Sequence, residues 1–95
     1  MKWVLITYDV CTINNEGKRR LRAIARLCES YGLRVQNSVF ELQISNKDLL
    51  VLRDMLVNAM NQKEDSIRIY ILGTTPQVEH FGIKESTDLQ QPLII

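Results

Sequence analysis

From Trp3 to Tyr8 the chain reads Trp-Val-Leu-Ile-Thr-Tyr, apolar and β-prone throughout, and the run stops at Asp9. A short continuous run of this kind predicts a strand covered on both faces. The period then changes. Between Glu16 and Tyr31, the residues Leu21, Ile24, Cys28 and Tyr31 recur at helical spacing and form one stripe, with Gly32 as the expected left-handed stop. At about 100° per residue, Lys18, Arg19, Arg22 and Arg26 gather on the side opposite that stripe, where they face solvent or a partner.

Leu33 to Ile44 alternates, but the phase slips: Leu33 and Val35 are apolar at odd positions, whereas Phe40, Leu42 and Ile44 are apolar at even ones. One strand cannot keep a single face buried through such a slip without a bulge or turn. The break is expected near Asn37-Ser38, giving two short strands or a sharply bent ribbon. Ser45 followed by Asp48 resembles a capping box, and Leu49, Leu52, Leu56 and Ala59 carry a second helical stripe to about Met60. A polar loop over 61–65 leads to Ile67, Ile69 and Ile71 alternating with Arg68, Tyr70 and Leu72, a strand closed by Gly73.

The order is β-α-β-β-α-β, which predicts an α+β, ferredoxin-like sandwich: an antiparallel sheet with two helices on one face. This core needs residues 1–72 only. Residues 73–95 form a polar arm ending in Pro92-Leu93-Ile94-Ile95. An apolar, β-branched terminus is expected either to add a strand to a sheet edge, that of a second subunit in particular, or to fray.

Length changes this picture little: 95 residues suit a single domain, 1–95. At 45% hydrophobic composition the chain carries enough apolar side chains for a core, which argues against disorder. No run approaches the ~20 apolar residues of a membrane span, so the chain is expected to be cytoplasmic and soluble. Cys11 and Cys28 lack the spacing of a redox or metal pair and read as reduced thiols.

Charge changes more. Up to Arg34, seven basic residues stand against three acidic ones, a balance of +4, and beyond it five stand against eight, a balance of −3. Such asymmetry permits a local anion-binding surface on a chain whose net charge is only +1. The arginine face of the first helix, with Arg34 just beyond it, is either an ordinary solvated face or a stripe that tracks phosphates with little sequence preference.

Familiar catalytic signatures are absent: there is no G-x-S-x-G, glycine-rich phosphate loop, H-E-x-x-H or C-x-x-C. His80 is the only histidine and reads as a surface residue, so a triad enzyme is excluded. The RNP1 pattern of an RNA-recognition motif is also missing. Asp9 is the pointed residue. A carboxylate at the end of an apolar strand is either a ligand or base on a rigid element, or the cap of the loop that follows. One carboxylate makes a poor magnesium site, but a two-fold axis near this strand end would pair it with its mate.

Four segments carry a resemblance: Val4 to Val10 (VLITYDV), Lys18 to Leu21 (KRRL), Tyr31 to Glu41 (YGLRVQNSVFE) and Asp65 to Tyr70 (DSIRIY). Together they resemble the small CRISPR-associated protein of the spacer-acquisition pair, the "Cas two" family, over roughly residues 1–72. The resemblance implies a homodimer of ferredoxin-like subunits, with the C-terminal strand crossing to the partner and the two copies of Asp9 facing each other. It implies either a metal-dependent endonuclease on single-stranded RNA or DNA, or a non-catalytic scaffold that bridges the partner integrase on spacer DNA. By the same resemblance Asp9 would hold Mg2+ or Mn2+, and Tyr8 would support the strand end. Arg19, Arg22 and Arg34 would bind phosphates, and Ser38 and Phe40 would shape the dimer floor. Leu42 departs from the family, many members of which carry glycine there.

Overall fold

The computed structural model describes residues 1–83; the C-terminal strand expected at 92–95 lies outside the described residues. The elements follow in the expected order: β1 (Lys2–Asp9), α1 (Asn15–Glu29), β2 (Gly32–Gln36), β3 (Val39–Ile44), α2 (Asn46–Ala59) and β4 (Ser66–Gly73). Among the described residues all strand pairings are antiparallel and the sheet order is β2-β3-β1-β4, with β1 inside and β2 and β4 at the ends. This is the ferredoxin-like arrangement.

Strand parity decides the layers. Val4, Ile6 and Tyr8 of β1 and Phe40, Leu42 and Ile44 of β3 are buried, and they pack with Ile24 and Cys28 of α1 and Leu52 and Leu56 of α2. Both helices therefore cover the same face of the sheet. The alternate residues Trp3, Leu5 and Thr7 are only half-buried, because no second layer of the described chain lies over them. The expectation that β1 is covered on both faces is thus corrected: one copy covers one face.

Two caps set the helix starts. The Asn14 side chain accepts the Gly17 N–H at 2.8 Å, and Ser45 Oγ accepts the Asp48 N–H at 3.1 Å. The end of α1 departs from expectation. Ser30 closes it in right-handed conformation, its N–H and hydroxyl both donating to the Arg26 carbonyl, so no left-handed glycine is needed. Gly32 has no positive φ and opens β2 instead. It is small for a steric reason: a Cβ there would lie 2.5 Å from the Glu41 carbonyl oxygen and 2.6 Å from Leu42 Cγ. Leu42, pointing into the core opposite Gly32 and Val4, fills the space that a glycine at 42 would leave. The phase slip in the second ribbon resolves as a tight β2-β3 hairpin turning at Asn37-Ser38, with an irregularity between Arg34 and Gln36.

Candidate strand-end carboxylate and cationic surfaces

Asp9 ends the central strand, paired with Ser66 of β4, and its side chain is exposed. Its odd position puts it on the bare face of the sheet with Thr7 and Leu5, opposite the helices. The strand end is held from three sides. The Tyr8 N–H donates to the Ser38 carbonyl at 3.1 Å, and the Cys11 N–H donates to Asp65 Oδ1 at 3.0 Å. On the helix side the Tyr8 ring is buried and stacks on Phe40, with centroids 6.2 Å apart and planes 22° from parallel. The Tyr8 hydroxyl reaches the Asn37 carbonyl at 3.4 Å; burial raises its pKa and the neighbouring Arg34 opposes that.

Tyr8, Ser38, Phe40 and Arg34 therefore come together, on the side of the sheet away from the Asp9 carboxylate. Arg34 stands apart from the exposed helix stripe with which the charge pattern grouped it. Its guanidinium lies 5.1 Å over the Phe40 ring and pairs with Glu29 at 3.2 Å, while Nε is buried without a hydrogen-bond partner. Arg19 and Arg22 are exposed on the outer side of α1 with Lys18 and Arg26, as the wheel predicts. Among the described residues, no hydrogen bond or ion pair joins them to Asp9.

The polar group that sequence reasoning missed is Asp65. Its side chain is fully buried and accepts from the Cys11 N–H, from Arg20 Nε at 2.8 Å and from the Asn61 N–H at 2.9 Å; Arg20 also reaches Glu64 at 3.1 Å. These hydrogen bonds, that from Arg20 foremost, hold the Asp65 pKa below the ordinary carboxylate value against the opposing effect of burial. A signal did exist. On the helical wheel Arg20 falls one turn before Ile24, on the apolar side rather than among the other arginines.

Neither cysteine forms a disulfide; Cys28 is buried, which raises its pKa to about 12, and Cys11 is partly exposed. His80 is exposed, with Nε2 3.1 Å from the Gly82 carbonyl. Among the described residues of one copy, no three His, Cys, Asp or Glu side chains gather to hold a metal ion, so Asp9 alone does not meet the needs of a divalent cation. A groove of about 450 Å³ between α2 and β4, lined by Leu49, Leu50, Ile69 and Ile71, lies beside Lys2, at the far end of β1 from Asp9. Among the described residues, no helix is long and apolar enough to cross a membrane.

An antiparallel sheet backed by two helices, with an exposed carboxylate on its bare face and a cationic outer helix, defines a ferredoxin-like protein with two candidate ligand surfaces. The sequence model of the family described as CRISPR associated protein Cas2 matches residues 1–79, and the chain belongs to this family. It is similar to the CRISPR-associated endonuclease Cas2 of Halalkalibacterium halodurans, with 48% identity over 96% of this chain and 97% of that one. It is 50% identical to the CRISPR-associated endoribonuclease Cas2 of Chlorobaculum tepidum, over 97% of this chain and 98% of the relative. Among solved structures, Cas2 of Streptococcus pyogenes at pH 6.5 superposes with a TM-score of 0.75 and 45% identity, covering 84% of this chain and 99% of that one.

Proposed function

We propose that the chain is a CRISPR-associated nuclease of spacer acquisition, cleaving phosphodiester bonds of RNA or DNA as a homodimer with Asp9 at the subunit interface. The observation that carries this reading is the position of Asp9: an exposed carboxylate at a rigid central-strand end, on the sheet face that the helices leave bare. That face also carries Trp3, Leu5, Leu33, Val39 and Tyr70, of which Leu33 is 45% and Tyr70 40% exposed, an apolar surface suited to a second copy. The nuclease names of relatives 48% and 50% identical over nearly the whole chain support the reading.

Packing of the two bare faces about a two-fold axis brings the two Asp9 carboxylates toward one another. Two carboxylates with substrate phosphate oxygens suit Mg2+ or Mn2+. Such an ion, when bound, lowers the pKa of a water and neutralises charge gathering on the phosphoryl oxygens. The chain's own residues do the rest. Tyr8, stacked on Phe40 and tied to Ser38, keeps the carboxylate at a fixed height. Arg19 and Arg22 track the backbone by charge, and Arg34 reaches a phosphate only by exchanging Glu29 for it. A second reading, a scaffold that holds DNA for an integrase, is favoured by the lone carboxylate of each copy.

Cleavage of labelled single-stranded RNA and duplex DNA by wild type and Asp9→Ala, with and without chelator, tests the reading. Loss of cleavage in the variant and under chelation, with binding retained, is expected. Cleavage that survives Asp9→Ala refutes the role of Asp9, and binding without cleavage by the wild type leaves the scaffold. Arg19→Ala and Arg22→Ala should each weaken binding and lower its salt dependence by about one ion.

A further inference from the structure

The bare face of the sheet is not uniformly apolar. Cross-strand register sets it out in rows: Trp3 lies beside Gln43, Leu5 between Glu41 and Tyr70, Thr7 between Val39 and Arg68, and Asp9 beside Ser66. The Asp9 end therefore forms a corner of four polar side chains, Asp9, Ser66, Thr7 and Arg68, next to the apolar remainder. Arg68 is the diagonal neighbour of Asp9, a relation that places side chains within about 7–8 Å of each other on one face.

Arg68 differs from the arginines that are tied down within the fold. Arg20 is bound to Asp65 and Glu64, and Arg34 to Glu29, whereas among the described residues no carboxylate lies within ion-pair distance of Arg68. It is exposed, and its guanidinium rests 5.4 Å from the Tyr70 ring centre. Stacking on a ring restrains the guanidinium and leaves its in-plane N–H groups free to donate. A preorganised, unneutralised fork beside hydroxyls matches a phosphodiester, which offers two oxygens to one guanidinium. Glu41, the other acid on this face, sits in the adjacent row on β3, on the far side of β1 from Arg68.

We propose that Arg68, flanked by the Thr7 and Ser66 hydroxyls, binds a substrate phosphate beside the one that Asp9 serves. The inference rests on the nuclease reading above and assigns the substrate-holding half of that site. It explains why the corner combines one carboxylate with one cation: the carboxylate alone would repel the backbone that it must approach.

The test compares wild type, Arg68→Gln and Arg68→Lys. Affinity for labelled single-stranded RNA and for duplex DNA is measured in chelator across a salt series, and oligomeric state by sedimentation. Arg68→Gln should bind about 10-fold more weakly to both probes. Its slope of log affinity against log salt should fall by about 0.7 on the single strand and 0.9 on the duplex for each phosphate that the arginine no longer neutralises. Arg68→Lys should keep the slope at intermediate affinity. Arg68→Gln with wild-type affinity and slope overturns the inference while leaving the nuclease reading intact. So does a weakening explained entirely by subunit dissociation, which would assign Arg68 to pairing of the copies. Wild type that binds neither probe overturns both.

Discussion

Replacing Asp65 with alanine removes one acceptor from three segments at once. The carboxylate receives the Cys11 N–H at 3.0 Å from the end of β1, Arg20 Nε at 2.8 Å from α1, and the Asn61 N–H at 2.9 Å from the loop before β4. Its side chain has no exposed surface, so water cannot simply take its place. Each backbone donor left unpaired costs about 1–3 kcal/mol when buried. Arg20 is not fully stranded, because Glu64 remains 3.1 Å away at the surface. The two backbone donors are only part-buried, so together they account for about 3 kcal/mol, a large share of the ~5–14 kcal/mol expected for a chain of 95 residues. Urea unfolding followed by Trp3 fluorescence, at one fixed protomer concentration, reads this as a midpoint lowered by about 1–3 M at unchanged slope. Asp65→Asn, which keeps one acceptor oxygen, should lose about half as much. A midpoint for Asp65→Ala close to that of wild type at the same slope would refute the reasoning.

Acid sensitivity follows from the same group. The Asp65 pKa is lowered in the folded chain, so its stabilisation is fully present above the unfolded value of about 3.9 and is lost as pH falls through the folded value. Wild type should lose more stability than Asp65→Asn in that acid range, as urea midpoints across a pH series would show. Gly32→Ala should destabilise by about 1–3 kcal/mol through overpacking against the Glu41 carbonyl and Leu42, which a lowered urea midpoint would show. Under native conditions iodoacetamide should modify Cys11 and spare Cys28, whose thiol is buried with its pKa raised to about 12, and denaturant should abolish the difference by mass spectrometry.

The elements were legible from periodicity because the physics behind them is local. The helical stripes Leu21-Ile24-Cys28 and Leu49-Leu52-Leu56-Ala59 and the parity break at Asn37-Ser38 reappear in the structure, while Tyr31 packs on the core from the turn just past α1. Strand parity in principle sorts the acids too. Asp9 shares the parity of Leu5 and Thr7 and belongs to the bare face, while Asp65 shares that of Ile67 and Ile69 and belongs to the helix side. Sequence reasoning nonetheless singled out Asp9 alone, since a lone acid before a strand has no visible partner 45 residues away. Likewise the charge pattern groups Arg34 with the arginine face of the first helix, whereas the hairpin lays it over Phe40 beside Glu29.

Taken by itself, the order of hydrophobic and polar residues determined the β-α-β-β-α-β succession, the buried stripes, the exposed face of Arg19 and Arg22, and Asp9 as the terminal residue of an apolar strand. Only the tertiary structure decided which charges are neutralised. Antiparallel pairing of β1 with β4 brings the chain after Asp9 against the chain before Ser66, and this closes Arg20 onto Asp65 while leaving Arg68 without a partner among the described residues. Charge pairing acts over a few ångströms between segments far apart in sequence, so it is settled by strand order and register rather than by any local pattern.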